Sequence, residues 1–236
     1  MWCKLVFVLI VSSIPVFAST TDRMVIRDNI SPAQREELAQ RLRLITGWTS
    51  LEFNEDGALR TGSHLTGGSQ SARDLMNKAF SGSRTILFED ASGRKDVVFC
   101  RVILAKPETD SSDKGEVHLV QIDFSDFQQV TGDKQARAAF NVGWAVLHEI
   151  DHVVSDSSDP QQDSAAGDCE DHINKMRREL GLPVRSSYFF SYLPIKNDSN
   201  LVSKFVRLGF DEESGPASKR RRYWLIWDAA IVGGLG

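Results

Sequence analysis

Cysteine is scarce in this chain. Cys3, Cys100 and Cys169 are the only three in 236 residues, too few for a small scaffold held together by disulfides. Charge of one sign is also missing. Twenty-eight Lys and Arg stand against 32 Asp and Glu, for a formal charge of −4. The one dense basic run, Lys219 to Arg222, reads as a solvated loop, so no nucleic-acid surface is indicated. No apolar run is long enough for a comfortable membrane span. The most apolar stretch near the end, "YWLIWDAAIVGG", is short and carries Asp228. No internal repeat is visible. What remains is length and apolar content sufficient for one well-buried domain.

The N-terminus reads differently from the rest. "MWCKLVFVLIVSSIPVFA" has Lys4, a short apolar run interrupted by Pro15, and a Val16-Phe17-Ala18 end. This is the pattern of a secretory signal peptide. The expectation is a secreted or periplasmic protein whose mature chain spans 19–236 as a single domain. Loss of 1–18 removes Lys4 and no acid, taking the charge from −4 to −5. No stable membrane insertion is expected after cleavage. Cys100 and Cys169 would remain, either joined, as export permits, or as two free thiols.

Ser31-Pro32 opens a helix that Gly47 closes, with Leu38, Leu42 and Ile45 on one stripe. A hairpin turns at Asp56-Gly57, and "SARDLMNKAF" reads as a second helix. "TILFED", "DVVFCRVILA" and "VHLVQIDF" read as strands. A long helix is expected from about Lys134 to Val154, apolar over most of its circumference and therefore buried on several sides. After the loop "SDSSDPQQDSAAG", a shorter helix starts near Asp168 and stops at Gly181-Leu182-Pro183. Strand-like runs fill the tail. The element order gives an α+β fold, with a mixed sheet packed on the long helix. An N-terminal lobe spans 19–130. The two later helices and the C-terminal strands span 131–236.

The long helix carries "AVLHEIDHVV", Ala145 to Val154. His148 and His152, at i and i+4, project from one helix face, where two imidazoles can hold one Zn²⁺. Glu149 is angled away from them and suits the general base that takes a proton from an attacking water. Asp151 falls outside this geometry and is expected to support a histidine or a neighbouring loop.

A catalytic zinc needs a third protein ligand, and the helix "DCEDHINKMRRELG" is the place to look. Cys169, Ile173, Met176 and Leu180 share its core face. Asp171 then points to solvent, and Asp168 fits the N-cap. Glu170 and His172 lie on the two borders of the core face. Glu170 is favoured as the ligand, with His172 as the alternative. Asn174 and Arg177, on Glu170's flank, can orient ligands.

"LHEIDHV" followed by "EDHINKMRRELGLPVRSSY" resembles the zincin superfamily of metallopeptidases. Within it, the stretch looks like the NleD-like effector metallopeptidases and related domains of bacterial polymorphic toxins. The similarity covers about Phe140 to Tyr188. It implies a zincin-like fold and a Zn²⁺-dependent endopeptidase acting on peptide or protein. His148 and His152 would be ligands and Glu149 the base. By the same resemblance, Arg185 or Tyr188 would polarise the scissile carbonyl or bind its oxyanion. The resemblance does not choose among Glu170, Asp168 and His172. Val153 also departs from the small residue that commonly follows the second histidine. The other reading of the chain is a zincin-like binding domain without turnover.

Overall fold

The computed structural model describes residues 22–105, 116–161, 166–193, 203–213 and 220–232. The expected signal peptide, 1–18, lies outside them. The chain begins with β1 (Met24–Ile26), α1 (Pro32–Thr46), β2 (Glu52–Phe53), β3 (Leu59–Arg60), α2 (Gln70–Ser81) and β4 (Thr85–Asp90). Then come β5 (Cys100–Leu104), β6 (Val117–Ile122), α3 (Phe124–Gln128), β7 (Thr131–Gly132), α4 (Lys134–Ala139) and α5 (Val142–Ser155). It ends with α6 (Asp168–Glu179), β8 (Val184–Arg185), β9 (Ser191–Tyr192), β10 (Phe205–Asp211), β11 (Arg222–Asp228) and α7 (Ala229–Val232).

Local chemistry sets several of these boundaries. Ser31 Oγ accepts the Gln34 N–H while Gln34 Oε1 accepts the Ser31 N–H, a reciprocal cap that starts α1. Gly47 closes the helix in the left-handed region, and its N–H donates to the Arg43 carbonyl. The expected strand "DVVFCRVILA" is strand only from Cys100. Phe99 has φ +62°, a conformation that interrupts an extended run. Asp126 Oδ2 accepts its N–H at 2.9 Å and holds it there.

The sheets are arranged differently from the expected single mixed sheet. β1, β4 and β6 are parallel neighbours, and β5 adds antiparallel to β6 as an edge strand. A second, antiparallel sheet runs β7-β11-β10-β8, with β9 also on β10. The fold is α+β, but its strands divide between two main sheets and a small β2–β3 hairpin.

The single helix expected over Lys134 to Val154 is two helices, α4 and α5. Phe140 and Asn141 between them are extended, and Asn141 Oδ1 accepts the Gly143 N–H at 3.1 Å. Ending α4 leaves carbonyls without helical partners. Ala138 O accepts the Trp144 indole N–H at 3.0 Å, and Ala139 O accepts Arg177 Nε at 2.9 Å. The C-terminal run expected as one strand ends at Asp228 and finishes in the short α7. Among the described residues, no helix is long and apolar enough to cross a membrane.

Every residue of α5 from Val142 to Asp151 is buried. The helix packs against α1, α2, α6, β5 and β6. Its Val142, Trp144, Val146, Leu147 and Ile150 belong to the larger apolar core, and the second sheet forms the other with Phe99, Leu208, Phe210, Leu225 and Trp227. Burying that much apolar side chain, at roughly 1.5–3 kcal/mol for each large residue, fixes α5 between the layers. The polar residues it carries are thereby fixed as well.

Candidate metal centre

His148 and His152 are one turn apart on α5, with ring centroids separated by 4.7 Å. Nδ1 of His152 donates to the Ser157 carbonyl at 2.9 Å. This bond aims Nε2 at whatever the site holds.

The group facing those nitrogens is Asp159, in the loop after α5. Its Oδ1 lies 3.0 Å from His148 Nε2 and 3.4 Å from His152 Nε2. Atoms bound tetrahedrally to one zinc at roughly 2.0–2.1 Å stand about 3.3 Å from each other. The two spacings from Asp159 Oδ1, 3.0 and 3.4 Å, lie near that value. The Tyr188 hydroxyl donates to the other oxygen, Oδ2, at 2.6 Å, which leaves Oδ1 for the histidines. Asp159 was missed from sequence because it sits in a loop with no periodicity. Its only signal was an acid seven positions after His152 and just before Pro160.

Cys169 also belongs to the cluster. One ligand atom from each of His148, His152 and Cys169 can be chosen so that all lie within 4.8 Å of one another. A group able to hold a metal is therefore present. Cys169 is fully buried, and its thiol donates to the His148 carbonyl at 3.2 Å. Cys100 and Cys169 are both free thiols, so the disulfide alternative does not hold.

Glu170 is buried beside the site, but on the other nitrogen of His148. Its Oε2 lies 3.5 Å from Nδ1 and 3.0 Å from Arg185 Nη1, and its Oε1 is bonded to Arg177. Burial opposes its ionisation, but the two guanidiniums, helped by His148, hold its carboxyl well below the usual range. Both oxygens are committed. Arg177 is itself buried between the Trp144 and Phe210 rings, 5.2 and 5.5 Å from their centroids. Asn174 completes this network, accepting from Arg177 at 2.9 Å and from the Arg185 N–H at 2.8 Å.

The other sequence candidates are placed as follows. His172 turns away from the cluster. Its side chain is half exposed, and Nδ1 donates to Asp151 at 2.8 Å. Asp168 is exposed and does not cap α6; Gly167 does, with φ +83° and no side-chain bond. Arg185 spends its guanidinium on Glu170, the Ser187 carbonyl and the Tyr188 carbonyl, and lies 4.7 Å from the Tyr188 ring centre. The Tyr188 ring stacks on His148 at 6.0 Å. Arg185 therefore braces Tyr188, and Tyr188 braces His148 and Asp159.

Glu149 is buried next to His148 in the chain. With His148, it forms part of the wall of a cavity of about 320 Å³. Phe99, Phe140, Trp144, Phe190, Leu208 and Trp227 contribute its apolar surface. Burial pushes the Glu149 carboxyl upward, and the two histidine charges pull against that, which favours a group that can both take up and release a proton. The same burial, with the charge of Glu149, drives the Cys100 thiol well up and makes it a poor nucleophile.

No protein-family model, curated protein or solved structure matches this chain.

Proposed function

We propose that this chain is a zinc-dependent peptidase of the zincin type, exported by its N-terminal segment, with His148, His152 and Asp159 as the metal-holding residues. The observation that carries the reading is the approach of one Asp159 oxygen to the Nε2 atoms of both histidines, at 3.0 and 3.4 Å. Two imidazoles and a carboxylate are a donor set that suits Zn²⁺ and leaves a fourth position open. When bound, the zinc supplies Lewis acidity, lowering the pKa of water and polarising a carbonyl.

The chain's own residues supply the rest. Glu149 removes the proton of the attacking water and passes it on to the leaving amine. The apolar cavity beside Glu149 takes a substrate side chain and keeps bulk water from the reacting groups. Glu170, held by Arg177 and Arg185, faces Nδ1 of His148 at 3.5 Å and orients that ring. This reading places the third ligand on Asp159 and moves Glu170 to an orienting role. Tyr188 keeps Asp159 in place, and if it also serves an oxyanion it must first leave Oδ2.

Metal analysis of purified protein, with turnover of a peptide library, tests the proposal. One zinc per chain and cleavage that disappears in Glu149→Gln are expected. A protein that takes up no zinc overturns it.

The proximity of Cys169 to both histidines favours a second reading: a closed site in which Cys169 joins His148, His152 and Asp159, so that zinc has four protein ligands and no open position. Such a domain would bind metal for stability and hydrolyse nothing. Cys169→Ala separates the two. The peptidase keeps its zinc, whereas the closed site loses most of its affinity.

A further inference from the structure

One buried acid of the α5 motif takes no part in this chemistry. Asp151 is 2 % exposed, and three side chains converge on it. Ser155 Oγ donates to Oδ1 at 2.8 Å. Ser157 Oγ donates to Oδ2 at 2.8 Å, and His172 Nδ1, from α6, donates to the same oxygen at 2.8 Å. Burial disfavours its charge, but His172, Ser157 and Ser155 outweigh that and keep the carboxyl ionised below its usual range. Two of the three donors come from the few residues that follow His152.

Those residues form the turn that leads to Asp159. α5 ends at Ser155, and Asp156 reverses the chain at φ +50°, ψ +30°, the left-handed region that glycine, asparagine and aspartate enter most readily. Side chains on either side brace this turn. Arg84 bonds the Val153 carbonyl and pairs with Asp156 at 2.8 Å, but that pair is exposed and weak in water. Asp151 is the buried anchor. With Ser157 fixed through its hydroxyl, its carbonyl reaches Nδ1 of His152 at 2.9 Å. Two residues further on, Asp159 arrives at the Nε2 atoms.

We infer that Asp151 is a positioning residue for the metal site. Through Ser155 and Ser157 it sets the turn that delivers Asp159 and orients His152, and His172 holds Asp151 itself. This rests on reading His148, His152 and Asp159 as a zinc site. A carboxylate inside the ligand-bearing helix thereby controls a ligand outside it. His172 serves the site from α6 without touching metal.

The test uses two readouts on Asp151→Asn, Ser157→Ala and Ser157→Thr. The first is backbone amide exchange over 155–159 in metal-free protein, and the second is zinc affinity by chelator competition. Expected for Asp151→Asn and Ser157→Ala are exchange about tenfold faster or more and zinc binding roughly 10- to 100-fold weaker. Ser157→Thr, which keeps the hydroxyl, retains wild-type values. The melting temperature of metal-free Ser157→Ala stays near wild type, separating positioning from general loss of fold. Wild-type exchange in both Asp151→Asn and Ser157→Ala overturns the inference. So does faster exchange with unchanged zinc affinity. If the wild-type protein binds no zinc, the metal site itself fails; exchange, read without metal, shows separately whether Asp151 holds the turn.

Discussion

Asp159 Oδ1 sits between two imidazoles, 3.0 Å from His148 Nε2 and 3.4 Å from His152 Nε2. Without metal these three groups form a compact ion cluster. The carboxylate stabilises protons on both rings, and both rings hold the carboxylate ionised. The atoms that carry or accept those protons are the ones a metal would use. On the proposed reading, protons compete with the metal for these atoms.

Asp159→Asn should cut zinc affinity by two orders of magnitude or more, since it removes the charged donor and one oxygen. Glu170→Gln should behave differently. It leaves Arg177 buried without its counter-charge, at a cost of about 3–5 kcal/mol of folding stability. Chemical denaturation together with metal analysis separates the two. If Glu170→Gln loses zinc while Asp159→Asn keeps it, the assignment is reversed.

Glu149→Gln should lower turnover by at least about 10²-fold, the usual range for loss of a positioned general base being 10²–10⁴. Zinc content and melting temperature should hold, because the amide keeps the size of the side chain and Glu149 is not among the proposed metal-holding residues. Equal loss of zinc would place Glu149 among the ligands instead.

Stability of the metal-free protein should fall on the alkaline side. Burial works against charging His152, but Asp159 wins and pushes its pKa up to about 11. His148 is raised in the same way. An unfolded histidine titrates near about 6.5. Below that pH both states hold the proton and the stabilisation is complete; above it the unfolded state releases first, and stability is lost as pH rises toward about 11. Asp159 acts in the other direction. Its stabilisation is whole above about 3.9 and is lost as pH falls through its lower folded value. Denaturation of chelated protein across about pH 6 to 10 should show the alkaline loss, and Asp159→Asn should flatten it. Zinc affinity should rise over the same window.

What could be read from sequence was whatever had local physics. Ser31-Pro32 and Gly47 announced both ends of α1, and the structure places them there. Helical phase put Glu170 near the core side of α6, where it is 1 % exposed. Phase put Arg177 two turns on along the same flank, but it could not say that the guanidinium would claim the Glu170 carboxylate. Asp151 was expected to support a histidine or a loop, and it holds both His172 and Ser157. The break at Asn141 stayed hidden because apolar spacing runs through Phe140 and Gly143 without interruption. Asp159 stayed hidden because its position depends on one left-handed residue, Asp156. A search restricted to the next helix passes over it.

Gly167 ties that loop to α6 and gives a last test. Its φ of +83° and ψ of +160° lie in a region essentially reserved for glycine. A Cβ there would stand 2.5 Å from Cδ of Pro160, the residue following Asp159. Gly167→Ala therefore does two things: it strains its own backbone by about 1–3 kcal/mol, and it pushes on the chain that carries the carboxylate. Gly181 is the control. It also has positive φ, +66°, but a Cβ there meets nothing within 4 Å. Gly181→Ala should lose stability alone, by about 1–2 kcal/mol. Gly167→Ala should lose stability and zinc affinity together, the second measured by chelator competition under conditions where both variants are folded. Equal zinc affinity in the two variants would mean that Asp159 reaches the histidines without help from its contact with α6, leaving Asp151 and Tyr188 to hold it.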